Sequence, residues 1–136
     1  MTFDTKIAVV LRDDLETWQK LNITAFTVSG IAGTVAGILG EDYADASGVT
    51  YLPMMVQPVM LFEASADKLR TIYGRARSRE VKFSVFTEAL FSTPDDEANR
   101  AAVKAVPSDE LALVGMAMRA ERGVIDKIFK GVSFHK

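Results

Sequence analysis

From Leu21 to Gly40 the chain runs for twenty residues without a charged side chain. That is long enough to cross a bilayer as a helix, so the stretch admits two readings: a membrane span, or a helix packed into a globule. Its make-up decides. Asn22, Thr24, Thr27, Ser29, Thr34 and four glycines dilute the apolar residues, and an Arg-Asp-Asp turn precedes it where a span would carry aromatic and basic anchors. The reading is therefore a buried helix from Thr17 to Leu39, in one piece or two, and no membrane. Gly30, Gly33 and Gly37 each cost about 1 kcal/mol relative to alanine in a helix, which a close packing neighbour would explain. Ala25, Ser29, Ala32, Gly33, Ala36 and Gly37 form a small-residue surface that a sheet or a second subunit can approach closely.

Around this helix, short apolar runs alternate with helical patterns. Lys6 to Arg12 is nearly continuous in apolar residues, as expected of a strand buried on both faces, and Asp13-Asp14 ends it. Gly40 to Tyr51, with three acids and two glycines, reads as loop. Pro58 opens a second core strand, Val59-Met60-Leu61-Phe62. Ser65 is placed to cap a helix from Ala66 to about Ser78, whose apolar face is Ala66, Leu69, Ile72, Tyr73 and Ala76. Lys82 to Thr87 alternates like a third strand. Asp95 to Val106, acidic at its start, suits the positive end of a short helix. Glu110 to Arg119, bracketed by Pro107 and Gly123, reads as a fourth strand, and Val124 to Lys130 as a last helix. One domain over residues 1–136 follows, an α/β sandwich of four strands with helices on both faces.

Composition excludes several chemistries. The 136 residues include no cysteine, which removes disulfide scaffolds, thiolate zinc sites and cysteine nucleophiles. A single histidine, His135, argues against a multi-histidine metal site or a buried Ser-His-Asp triad. No metal and no cofactor is expected. After the first strand stands Arg12-Asp13-Asp14-Leu15-Glu16-Thr17, where a phosphate loop or dinucleotide fingerprint would need glycines, so nucleotide binding of those two kinds is disfavoured. The leading residues lack a secretory pattern, and the cytoplasm is the expected location.

The net charge of −2 is uneven: −6 over residues 1–67, +5 over 68–82 and −1 over 83–136. The basic island lies on the Ala66–Ser78 helix and just beyond it, with Lys68, Arg75 and Arg79 along one edge of the helix and Arg70 and Arg77 along the other. Such cations solvate the rim of a core or contact a polyanion. The densest polar constellation is elsewhere, at the first strand-to-helix junction. Ligands in α/β proteins bind at the C-terminal ends of strands, and Arg12, Asp13, Asp14, Lys20, Asn22, Thr24 and Ser29 all lie there. They form either a binding site or an ordinary ion-pair network.

The wording of two segments resembles a known family. Lys6-Ile-Ala-Val-Val-Leu-Arg12-Asp13-Asp14-Leu15, followed by Lys20-Leu21-Asn22-Ile23-Thr24-Ala25, is similar to the opening of type II peptidyl-tRNA hydrolases. Leu113-Val114-Gly115-Met116 and Val124-Ile125-Asp126-Lys127-Ile128 are similar to that family's closing strand and helix. Trp18 to Phe26, with Phe91-Ser92-Thr93, resembles more closely an uncharacterised bacterial branch, a domain of unknown function. The resemblance implies a three-layer α/β/α sandwich with a mixed four-stranded sheet, a homodimer, and ester hydrolysis in which Lys20 stabilises an oxyanion and Glu88 orients water. It implies tRNA as a partner, yet the family's second lysine is Asn22 here, its glutamine Phe26, its histidine Ser29, and the glycine after its carboxylate Leu90. With one cation fewer on an acidic chain, tRNA affinity falls. Three readings follow: a pocket for a small-molecule ligand or a divergent hydrolase at Lys20 and Glu88, with Arg12, Asp14, Asn22, Thr24 and Ser29 contributing; a dimeric interaction module; or the peptidyl-tRNA hydrolase activity itself.

Overall fold

The computed structural model describes residues 3–136. Its elements run β1 (Thr5–Arg12), α1 (Thr17–Thr34), β2 (Tyr43–Ala44), β3 (Thr50–Tyr51), β4 (Val59–Ala64), α2 (Ala66–Ser78), β5 (Phe83–Thr87), α3 (Asp96–Lys104), β6 (Leu113–Glu121), α4 (Arg122–Ile128) and β7 (Ser133–Phe134). Successive side chains of a strand point to opposite faces. In β1 every residue from Ile7 to Leu11 is buried, so both faces of this strand must be covered. It is the centre of the main sheet, whose order is β5-β6-β1-β4-β7. β4 pairs with β1 in parallel, whereas β6 pairs with it antiparallel, and β5 and β7 extend the two sides antiparallel to β6 and β4.

The sheet is thus mixed as expected, but it has five strands where four were expected. β7 is only two residues long, too short to show an alternation in sequence. Packing holds it: the Phe134 ring stacks on Phe62 at 4.7 Å and the His135 N–H donates to the Leu61 carbonyl at 2.9 Å.

Two helical layers enclose the sheet. α2 buries Leu69, Ile72, Tyr73 and Ala76, and with α4 it covers the face formed by Ala8, Val10, Phe62, Met116 and Met118. Fully burying one such aliphatic side chain stabilises the fold by about 1.5–3 kcal/mol. Ser65 caps α2 by accepting from the Lys68 N–H, as its position implied. The arginines of this helix serve the structure. Arg70 donates to the carbonyls of Ser108 and Leu111, and Arg75 to those of Ile128 and Lys130. The basic island therefore ties down two neighbouring chain segments, and Arg70 and Arg77 also lie over the Tyr73 ring.

On the opposite face α1 buries Ile23, Thr27 and Ile31 over Ile7, Val9, Leu11, Val114 and Ala117. Two glycines permit its close seat. A Cβ on Gly30 would meet the Ser84 hydroxyl of β5, and one on Gly115 of β6 would meet the Ile23 side chain. The helix ends at Thr34, short of the expected Leu39: Val35 is already extended, and Gly37 then turns the chain with φ of 74°. Ile38 is thereby buried, and its carbonyl accepts from the Val56 N–H at 2.9 Å. The expected loop from Gly40 to Tyr51 instead contains the β2–β3 pair. Asp45 organises it by accepting from the Ser47 and Val49 N–H groups and the Tyr51 hydroxyl. Among the described residues no helix is long and apolar enough to cross a membrane.

Candidate functional site

The topology collects polar side chains along one rim. β1, β4 and β5 point the same way in the sheet, so Arg12, Glu63 and Glu88, at or just beyond their C-terminal ends, share an edge. α1 starts from that edge and contributes Lys20 from its first turn, which is closed by the Glu16 N–H donating to the Gln19 side chain. β7, running antiparallel to β4, delivers His135 to the same place.

Two groups result. The Arg12 guanidinium bridges two carboxylates, donating through Nε to Asp14 at 2.5 Å and through Nη1 to Glu88 at 2.6 Å. Glu88 first, and Asp14 next among the groups that act this way, favour the charged form of Arg12 and raise its pKa. Asp14 is correspondingly held below the usual carboxylate range, chiefly by the Arg12 hydrogen bond and in smaller part by the charges of Arg12 and Lys20. The second group is Lys20, whose ammonium lies 3.0 Å from His135 Nε2, while Glu63 Oε2 lies 3.6 Å from the same nitrogen. An ammonium can only donate, so Nε2 accepts and the imidazole proton sits on Nδ1, 2.8 Å from the Lys136 carbonyl.

The structure therefore brings Arg12, Asp14, Lys20 and Glu88 to one rim, but places Lys20 and Glu88 in different hydrogen-bonded groups, with only the charge of Lys20 felt at Asp14. It leaves four candidates outside these groups. Thr24 donates to the Lys20 carbonyl and Ser29 to the Phe26 carbonyl, so both hydroxyls serve their own helix. Asn22 is exposed and lines a small cavity with Trp18 and Phe91. Asp13 is exposed, its N–H donating to the Ala64 carbonyl. Sequence reasoning missed His135 and Glu63. The signal that would have found them is the placement of His135 directly after the Ser133-Phe134 pair, which becomes informative only once that pair is known to be a strand. Among the described residues no group of three or more carboxylate or histidine side chains is arranged to hold a metal ion.

Two comparisons bear on what this arrangement is. A solved structure titled as a protein of unknown function, Atu0240 from Agrobacterium tumefaciens strain C58, is 44% identical, matches 99% of this chain and 100% of its own, and superposes with a TM-score of 0.97. No curated protein matches the chain. The family model described as "Protein of unknown function (DUF2000)" matches residues 5–136. With nearly its whole length matched, the chain belongs to the DUF2000 family.

Proposed function

We propose that the rim is a divergent hydrolytic site for a small ester, built on a scaffold of the type II peptidyl-tRNA hydrolase kind. The observation that carries this reading is the Lys20–His135–Glu63 chain, with contacts of 3.0 and 3.6 Å. In the reaction, Lys20 turns from His135 to the substrate carbonyl and stabilises the oxyanion as it forms. The freed Nε2 accepts a proton from the attacking water, and Glu63 stabilises the resulting imidazolium. That proton then passes to the leaving alcohol, so that ester and water yield acid and alcohol with His135 restored. Glu88, held by Arg12, is a positioning residue for the polar part of the ligand. The replacements at Asn22, Phe26 and Ser29, on a chain of net charge −2, favour a small substrate over tRNA, whose affinity depends on phosphate neutralisation.

The test is turnover of short-chain nitrophenyl esters beside an N-blocked aminoacyl-tRNA. Lys20→Met and His135→Gln should each lower the ester rate by about 10²-fold or more, with the tRNA ester untouched. Ester turnover that is absent, or that persists in both variants, removes the hydrolase reading. Binding of a small ligand at the same rim would then require thermal stabilisation that Lys20→Met abolishes.

A second reading, a homodimer, is favoured by one observation. Tyr43, Val49, Tyr51, Leu52 and Met54 are all exposed on the arm between Leu39 and Val56, and Leu52 is 84% exposed. Apolar exposure of this extent marks an interaction surface, which this reading gives to a second copy of the chain. Light scattering that finds a monomer at high concentration would remove it.

A further inference from the structure

Away from the rim, a cleft of about 440 Å³ opens between α1, β5 and α3. Phe26, Val85, Phe86 and Val103 form its walls, Ser84 reaches it from β5, and Lys104 stands on its lining. A neighbouring cavity of about 330 Å³ under Trp18 shares Phe26, Phe86 and Asn99 with it, so the space continues along α1 beneath α3. Volumes of this size are those of small-molecule sites.

The helix that roofs the cleft is itself incompletely seated. Ala98, Asn99, Ala102 and Val103 form a half-buried stripe at helical spacing, of which Asn99 and Val103 line the cleft, yet α3 has no buried residue. An amphipathic helix gains its stability from burying that stripe. β5 beneath it is likewise only half covered at Ser84 and Val85. Two apolar surfaces therefore face each other across a gap that neither fills.

The polar groups at the cleft define what fills it. The hydroxyls of Thr27 and Ser29 are turned back onto carbonyls of their own helix. Arg100 is paired with Asp96 at 3.0 Å. Lys104, one turn further along α3, has no carboxylate within salt-bridge distance among the described residues. The site is thus an apolar slot, walled in part by aromatic rings, with one uncommitted cation at its end.

We propose that this cleft binds a small amphipathic carboxylate, its apolar or aromatic body held beneath α3 between Phe26, Phe86 and Val103 and its carboxylate on Lys104. Lys20 and Glu88 take no part in the lining, so the site is separate from the rim. The charge selects the ligand from neutral compounds of the same shape, and the slot selects it from small hydrophilic acids.

The experiment titrates the protein with 4-phenylbutyrate and, separately, with 4-phenylbutan-1-ol, following backbone amides by NMR. The acid should bind saturably with a Kd near or below about 1 mM, and the alcohol about tenfold more weakly, the increment of one charge-assisted hydrogen bond. Shifts should centre on Ser29, Ser84, Val85 and Val103. Lys104→Glu should weaken the acid about tenfold and leave the alcohol unchanged, whereas Val103→Trp, which fills the slot, should abolish both. Ser29→Trp, at an exposed position, serves as a second block if the first variant does not fold. Lys20→Met, whatever it does at the rim, should leave the affinity of the cleft for both compounds as it was. No saturable binding to the unmodified protein, equal affinity for acid and alcohol, or binding that survives a folded blocking variant would each overturn the proposal.

Discussion

The two faces of the sheet are closed by different means. On one, α2 and α4 bury Leu69, Ile72 and Ala76 against Val10, Phe62, Met116 and Met118, and the arginines of α2 fasten neighbouring carbonyls. On the other, α1 packs over β6, β5 and β1, while Leu61 of β4 remains 40% exposed. The outward side of α1 carries Trp18, Leu21 and Phe26 in place of charges. A helix with a charged outer face is finished once its inner face is buried. One without charges beyond Lys20 leaves apolar surface for something else to cover. The contrast separates a scaffold from a working face, since α1, its rim and its clefts carry every candidate site residue.

Truncating the closed face should have the largest effect. Ile72→Ala removes a fully buried side chain and is expected to lose about 2–5 kcal/mol by chemical denaturation, because the cavity cannot collapse between two packed layers. On the working face the sensitive spot is a contact too close for a side chain. Gly115→Val would press on Ile23 and the Val10 carbonyl, with an expected loss of about 1–3 kcal/mol. A neutral result there would mean that α1 is loosely seated and the contrast is overstated.

Smaller again is the loss expected for Arg12→Ala, whose two carboxylate partners are more than half exposed. Its pH dependence has a definite sign. Asp14 is depressed below 3.8 when folded, so its bond to Arg12 contributes in full above that value and is lost as pH falls through the lower, folded value. The stability gap between wild type and Arg12→Ala should therefore be constant near neutrality and narrow on acidification; a gap that widens in acid would contradict the assignment. Smallest of all is Leu52→Ser on the exposed arm, expected to change monomer stability by no more than about 0.5 kcal/mol. If the arm joins two copies, the same substitution should lower the apparent mass by light scattering.

Some of this was legible from local pattern. The Lys6–Arg12 run announced a strand buried on both faces because alternation is suppressed when both sides are dry, and the α2 stripe with its Ser65 cap announced a helix at the bounds it has. Gly37 was read as part of a helix because a glycine looks the same in sequence whether it is helical or left-handed; in the fold its φ of 74° turns the chain just before the buried Ile38. The rim was half legible. Arg12, Asp14 and Lys20 are near neighbours in the chain, and their clustering is local. Thr24 and Ser29 stand as close in sequence, but the helix carbonyls one turn back offered their hydroxyls a nearer partner.

By itself, then, the amino-acid order determined the alternation of strands and helices, the central strand, and which stretch would be a helix without charges, since periodicity and capping act over a few residues. Only the tertiary structure decided what Lys20 meets. His135 lies 115 positions away, and it reaches the rim because a two-residue strand finds the free edge of β4 and an aromatic ring to stack on. Edge pairing and ring stacking belong to surfaces that do not exist until the sheet has formed, so neither leaves a mark in the local sequence.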